Sequence, residues 1–275
     1  MALTLYQQVE NKIPIEANGI LPELLLGKTT DQIKSLLVPC GNKMVELGEL
    51  FSVSGSIDHS KTVNFEGSLS NVNGIGMGMA SGFIQICGDA GNRIGVTMSG
   101  GEIRSTADVG DHLGSEMTGG VIVVEGDAGD SVGSVLPGSK VGVNRGEILV
   151  RGSVGKGAGE SMRRGLLVVG GNAGGLLGWS MRAGSLVVFG TAGADVGAEM
   201  KRGTIVLGGG FAHSLSSSFR PGGSFRMPAI SLIVNWLKRS HPDFDVDVSR
   251  LDTNFNLFHG DFLHGGRGEI LIPTN

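Results

Sequence analysis

Apolar residues recur in this chain with a period of two inside short runs and a period of 19 between runs. The runs superpose on the column Met79, Met98, Met117, Val143, Met162, Met181 and Met200, with one seven-residue insertion between Ser134 and Val143. In that register a glycine stands three positions on in every repeat, from Gly82 to Gly203. Two positions further come Ile84, Ile103, Ile122, Ile148, Leu167, Leu186 and Ile205, and two beyond those Ile86, Ser105, Val124, Val150, Val169, Val188 and Leu207. Alternation of this kind is the signature of a strand with one buried face. More glycines follow at fixed offsets, giving the consensus M-x-x-G-x-I-x-V-x-G-x-A-G-x-x-V-G.

A 19-residue unit is too small to bury its own apolar face and must stack on its neighbours. At ~3.3 Å per residue it has a perimeter of roughly 60 Å, enough for three short sides. Stacking at ~4.8 Å per rung makes a column of roughly 34 Å. The pattern therefore predicts a mainly β fold, a parallel β-helix of about seven coils. A period of 19 is not a multiple of six, which argues for right-handed coils over the left-handed hexapeptide type. The aliphatic columns fill the lumen, while the glycines turn corners or let backbones approach.

The neighbouring outward column is also apolar in the later repeats: Val123, Leu149, Val168, Val187 and Val206, flanked by Val121 and Leu166. Parallel strands that are apolar on both faces are covered on both faces. The cover is either an end of this chain or a partner protein.

Residues 1–55 read as an N-terminal α/β cap, 56–212 as the solenoid and 213–275 as a C-terminal tail packing on the solenoid or on a partner. Leu3 to Val9 and Ile13 to Ala17 read as strands, and Thr29-Thr30-Asp31-Gln32 has the spacing of a helix capping box. Leu50 to Gly55 and Val63 to Gly76 read as degenerate coils. Pro228 opens a helix to Lys238 with Ile230, Ile233, Trp236 and Leu237 on one face.

Composition narrows the function classes. Forty-nine glycines without a three-residue period, interleaved with aliphatic residues, point neither to collagen nor to disorder. A formal net charge of −4 gives no reason to expect nucleic acid or an anionic membrane as partner. Two cysteines, Cys40 and Cys87, are too few for a disulfide framework and lack zinc spacing. With no basic leader and no run of ~20 apolar residues, the expectation is a cytoplasmic protein.

Candidate chemistry is sparse. Gly129-Asp130-Ser131-Val132-Gly133 matches a nucleophile elbow, but both glycines belong to the coil pattern, and Arg93, His112, Gly157, Leu176 and Asp195 occupy the Ser131 position in other repeats. The runs Gly74 to Gly78 and Gly208 to Gly210 lack the lysine of a phosphate loop. His259, Asp261 and His264 are a weak metal set. Asp108, Asp111 and Glu116 read as a solvated acidic patch. Neither a catalytic residue nor a metal site is expected. The clearest polar feature follows from stacking: Arg145, Arg163, Arg164, Arg182, Lys201 and Arg202 occupy the two positions after the Met column on four successive repeats. They read either as a solvated edge or as a docking strip for a polyanion or an acidic partner surface.

The coil Gly88-Asp89-Ala90-Gly91-Asn92-Arg93-Ile94-Gly95 resembles the β-helix shared by the C-terminal domain of glutamate synthase and the C subunit of formylmethanofuran dehydrogenases. Three flanking stretches are similar to the pattern of that dehydrogenase subunit and extend the resemblance over nearly the whole chain. These are Ile13-Pro14-Ile15-Glu16-Ala17 with Gly27-Lys28-Thr29, Glu46 to Gly55, and Gly265-Gly266-Arg267-Gly268-Glu269-Ile270. That family has a methanogen branch, in molybdenum or tungsten formylmethanofuran dehydrogenases, and a methylotroph branch, in the formyltransferase/hydrolase complex. The latter moves a formyl group from tetrahydromethanopterin to a methanofuran-type carrier and releases formate. A charged fraction of 17% is unlike the ion-pair-rich composition of a hyperthermophile and favours the bacterial branch.

The resemblance implies a noncatalytic scaffold subunit in one-carbon metabolism. The methanofuran-type carrier and metals would lie in partner subunits of hydrolase, formyltransferase and dehydrogenase-like type. The carrier in such systems bears a glutamate-rich tail, which offers the cationic strip a hypothetical ligand that no matched motif of the family assigns to it. A glutamate-synthase-like spacer module and an independent polysaccharide-acting β-helix enzyme are the competing classes; the second would need clustered carboxylates on an exposed groove.

Overall fold

Stacked aliphatic columns predict parallel strands in register, and the computed structural model, which describes residues 2–8, 12–57 and 59–274, has them. The N-terminal segment contributes strands β1 (Leu3–Gln7) and β2 (Ile15–Glu16), helices α1 (Pro22–Leu25) and α2 (Thr30–Lys34), strands β3 (Leu37–Cys40) and β4 (Lys43–Glu46), helix α3 (Leu47–Leu50) and strand β5 (Phe51–Ser54). Val9, the predicted end of the first strand, lies outside the described residues. The capping box forms: the Thr29 hydroxyl accepts from the Gln32 amide at 3.3 Å, and the Gln32 side chain accepts from the Thr29 amide at 2.9 Å.

After β6 (Thr62–Glu66) and β7 (Val72–Asn73) the repeats supply β8 (Phe83–Cys87), β9 (Glu102–Ser105), β10 (Val121–Val124), β11 (Glu147–Val150), β12 (Leu166–Val169), β13 (Ser185–Val188) and β14 (Arg202–Leu207). Each pairs in parallel with the next, Ile84 beside Ile103, Ile122, Ile148, Leu167, Leu186 and Ile205 in turn. A second parallel run of single bridges links Leu69, Ala90, Val109, Ala128, Val154, Ala173, Ala192 and Phe211. A third run of backbone bonds joins repeats elsewhere, as in Gly95 N–H to Ile75 O at 2.9 Å and Gly114 N–H to Ile94 O at 2.8 Å. Between the three runs lies one core, in which the Met column and both inward columns are buried.

The Gly129 and Gly155 backbones are extended or helical in φ, so their need for glycine is space. A Cβ at Gly155 would collide with Asp130 Oδ1 and stand 2.9 Å from the Asp130 amide nitrogen. At Gly120, with φ +88°, the constraint is the left-handed backbone that turns the chain into β10.

The C-terminal segment holds β15 (Arg220–Phe225), helix α4 (Pro228–Ser240), β16 (Phe255–Gly260) and β17 (Arg267–Pro273). Strand β17 adds in parallel to β14, and β16 and β15 continue the sheet antiparallel. The result is a 13-stranded sheet in the order β15-β16-β17-β14-β13-β12-β11-β10-β9-β8-β6-β1-β5, beside a four-stranded sheet β4-β3-β2-β7. One expectation fails: Leu50 to Gly55 does not form a coil. Strand β5 is an antiparallel edge beside β1, and the parallel place next to β6 is taken by β1 from the start of the chain. The alternating run Leu3-Thr4-Leu5-Tyr6 fits that slot, because Leu3 and Leu5 bury on the same core as Val63 and Phe65.

The question of the outer face is answered by the chain itself. Val123, Leu149, Val168, Val187 and Val206 form a second apolar cluster with Ile230, Leu237, Phe244, Leu251, Phe255, Leu257 and Leu271, all from the C-terminal segment. Helix α4 runs two residues past its predicted end and buries Ile230 and Leu237 against this face, with Ile233 and Trp236 half-buried beside them.

Candidate functional site

The six cations of the predicted strip sit at the corner where strands β11 to β14 begin. A residue two after the Met column is followed at once by a glycine with φ between +94° and +107°, at Gly146, Gly165, Gly184 and Gly203. That turn sets the strand direction and leaves the preceding side chains outside. Arg145, Arg163, Arg164, Arg182, Lys201 and Arg202 are all exposed, and none joins an ion pair among the described residues. The strand register stacks them at ~4.8 Å per rung. Two unit charges at that spacing repel by roughly 0.9 kcal/mol in water, so a row of anions laid along the corner would relieve several such repulsions.

The structure lengthens this row. Arg202 pairs in register with Arg267 of β17, which is also exposed. The repeat pattern could not include Arg267, which lies outside it; the antiparallel return of β16 and β17 brings it there. At the other end Arg145 borders a shallow depression with Gly119, Gly120, Val121, Gly146, Glu147, Gly165 and Leu166. Glu147 lies in it with His241 Nε2 3.5 Å from its carboxylate. Desolvation raises the Glu147 pKa above the ordinary carboxylate value, against the lowering effect of the His241 hydrogen bond and charge.

The apparent nucleophile elbow dissolves into the repeat. Ser131 has φ +63°, and the residues in its column share that conformation: Arg93 at +63°, His112 at +61°, Leu176 at +59° and Asp195 at +61°. The backbone strain of an elbow is here a structural corner repeated up the stack. Nearby, Ser115 and Ser134 approach His112 Nδ1 at 3.4 and 3.5 Å, a grouping reminiscent of a serine and its base. Both hydroxyls are buried and are placed to donate to carbonyls, Ser115 to Ser131 O and Ser134 to Val135 O. The grouping fastens the mouth of the seven-residue insertion.

The acidic residues do more than meet solvent. Asp108 Oδ1 accepts the Asp127 amide at 2.7 Å, Asp111 Oδ1 the Asp130 amide at 2.8 Å, and Asp130 Oδ1 the Lys156 amide at 2.7 Å. Asn92 and Asn172 fill the same role toward Asp111 and Thr191. Glu116 Oε1 accepts the Leu136 amide at 3.0 Å, tying the insertion to the stack. Among His259, Asp261 and His264, the last two meet at 3.2 Å, while the His259 ring packs against Gly222. Among the described residues no group of three His, Cys, Asp or Glu side chains is arranged to hold a metal, and no helix is long and apolar enough to cross a membrane.

Comparison with known proteins returns the family that the flanking motifs resemble. The chain is similar to the C subunit of the molybdenum-containing formylmethanofuran dehydrogenase 1 of Methanothermobacter marburgensis, 38% identical over 91 residues. The match spans 33% of this chain and 23% of the relative, so it covers under a quarter of that protein. The C subunit of the tungsten-containing formylmethanofuran dehydrogenase 2 of the same organism is 35% identical over 81 residues, 28% of this chain and 30% of its own length. No family model matches the chain. A solved chain from the formyltransferase/hydrolase complex of Methylorubrum extorquens, crystallised with methylofuran, superposes with a TM-score of 0.88 at 27% identity, over 99% of this chain and 100% of that one.

Proposed function

We propose, from kinship with the C subunit of formylmethanofuran dehydrogenases, that this chain is the noncatalytic scaffold of a formyltransferase/hydrolase complex. Such a complex converts formyl-tetrahydromethanopterin to formate through a formylated methanofuran-type carrier. The observation that carries the reading is the end-to-end superposition on a chain of the Methylorubrum extorquens complex. The three inter-repeat runs support a parallel β-helix over residues 56–212, the 19-residue period supports its right-handed winding, and 1–55 and 213–275 would be its caps. Hydrolase, formyltransferase and dehydrogenase-like subunits would be the companions, holding the metals and the reacting end of the carrier in the cytoplasm.

Within this reading Arg145, Arg163, Arg164, Arg182, Lys201 and Arg202, with Arg267, form the rail for a polycarboxylate, either the glutamate-rich tail of the carrier or an acidic partner surface. Exposed, unpaired guanidinium groups at ~4.8 Å spacing fit a chain of carboxylates, each taking a forked contact. The test is recovery of the tagged full chain from its own cells. Three companion subunits and formate release from the formylated carrier are the expected result; a lone chain, or a glycan-cleaving monomer, would sink the proposal. In the recovered complex Arg163→Ala, Arg182→Ala and Arg202→Ala together should weaken formyl transfer and flatten its salt dependence. Unchanged assembly and salt response would remove the rail.

The 38% identity to part of a molybdenum enzyme favours a second reading, the C subunit of a molybdenum or tungsten formylmethanofuran dehydrogenase. Molybdenum or tungsten in stoichiometric amount in the purified complex would select it.

A further inference from the structure

Where the cationic row ends, beyond Arg202 and Arg267, stands a turn that neither the repeat nor the rail explains. Residues Phe262–His264 form a single 3-10 turn, with Leu263 80% exposed and Phe262 51% exposed. An exposed leucine alone carries no message. Leu232, on the outer side of α4, is 70% exposed and is of that ordinary kind.

What sets Leu263 apart is how firmly it is held. The Asp261 carboxylate, 4% exposed, accepts the Leu263 amide on Oδ1 at 2.9 Å. Its Oδ2 accepts the Glu199 amide at 3.1 Å and faces His264 Nδ1 at 3.2 Å. The Phe262 amide donates to Ser218 O at 3.0 Å, and the His264 and Gly266 amides donate to Asp261 O at 2.9 and 2.8 Å. Three separate stretches of chain thus lock a turn that shows Leu263, and about half of Phe262, to water. Burying a carboxylate is costly unless it is well bonded. Here the bonds fix display of Leu263, which is mostly exposed, beside a Phe262 ring that is about half covered.

The surroundings are cationic. Lys201 and Arg202 follow directly on Met200, whose carbonyl accepts the Asp261 amide at 3.4 Å. Arg267 closes the turn on the other side, and the Arg220 guanidinium lies 5.7 Å from the centroid of the Phe262 ring. Of the acids nearby, Asp261 is buried and bonded within the turn, and Glu199 accepts from the Ser180 hydroxyl at 2.7 Å. A preordered apolar projection flanked by cations is the anatomy of an interface anchor: ordering has been met before association, and the apolar group is the part that gains from desolvation.

We propose that the Phe262–Leu263 turn is a docking knob that enters an apolar pocket, rimmed by carboxylates, on a companion protein of the complex. The inference rests on the scaffold reading and adds to it the point of attachment. It differs from a rail that holds the carrier tail: a polycarboxylate tail would follow the arginines and leave Leu263 in water, whereas a folded partner covers both.

The experiment uses the full chain in its complex, purified through an affinity tag, in four forms: unaltered, Leu263→Glu, Leu232→Glu, and with a photo-crosslinking phenylalanine analogue at position 263. The expected result is that Leu263→Glu weakens retention of a companion protein at least about 30-fold, the loss typical of an interface hot spot. Its melting temperature alone in solution should match that of the unaltered chain. Leu232→Glu should retain companions normally, and the crosslinker should trap one companion at a segment of apolar residues flanked by Asp or Glu. If Leu263→Glu keeps its companions at full yield, if Leu232→Glu fails equally, or if the crosslink maps to no companion, the knob is overturned while the scaffold reading stands. If the unaltered chain brings down no companion, both fall together.

Discussion

Replacing Leu149 by alanine tests whether the chain covers its own outer face. Leu149 and its neighbour Ile148 are both wholly buried, but they point to opposite sides of β11. Ile148 belongs to the core between repeats; Leu149 belongs to the cluster formed with Ile230, Leu237, Phe255 and Leu271. A large aliphatic side chain cut to alanine in a packed interior costs about 2–5 kcal/mol. At about 2 °C per kcal/mol for a chain of this size, each substitution should lower the melting temperature of the purified chain by roughly 4–10 °C. Far-ultraviolet circular dichroism reports the sheet. Fluorescence of Trp236, packed at the edge of the second cluster with its ring 4.9 Å from that of His241, reports the cover. Leu149→Ala should shift the fluorescence transition at least as far as the dichroism transition. A shift below ~1 °C for Leu149→Ala, beside a full loss for Ile148→Ala, would refute self-covering and mean that a partner supplies the cover.

Other expectations follow from the inter-repeat contacts. Gly155→Ala should destabilise the chain by about 1–3 kcal/mol, the range for overpacking, because its Cβ meets the Asp130 side chain and backbone; denaturant unfolding measures it. Asp130→Asn keeps the acceptor that serves the Lys156 amide and removes a charge stacked near Asp111, so its midpoint should equal or exceed that of the unaltered chain, whereas Asp130→Ala should lose about 1 kcal/mol. The Glu147 pKa is raised in the fold, so its contribution is fully present below the ordinary carboxylate value and is lost as pH rises through the raised one. A pH series of melting temperatures should show this fall above about pH 4.5, and Glu147→Gln should flatten it. Asp261 behaves oppositely. Burial alone would raise its pKa, but bonds from Leu263, His264, Ser218 and Glu199 prevail and lower it, so the turn keeps its stabilisation above the ordinary value and loses it as pH falls. Asp261→Asn should remove that acid-side loss.

The repeat itself was legible because its signal is local and multiplied. Each column from Met79 to Met200 fixes the next by a constant spacing, and in-register parallel pairing leaves identical positions stacked, so one register settles every strand from β8 to β14. The same arithmetic placed Arg145, Arg163, Arg164, Arg182, Lys201 and Arg202 in one strip and assigned Ser131 to a repeat column, which the backbone angles then show to be a turn position. What periodicity cannot reach is the non-repeating chain, where placement depends on contacts between residues far apart in sequence. Leu3 to Gln7 could have started the stack or stood apart; burial of Leu3 and Leu5 against the core decided for the slot beside β6. The outer valines announced a cover without identifying it, since an apolar face accepts any apolar partner of the right shape, and only the packing of α4 and β16 names it. Arg267 joins the cationic row, and Asp261 locks its turn to Glu199 and Ser218, through a return of the chain over some 60 residues that leaves no local pattern to read.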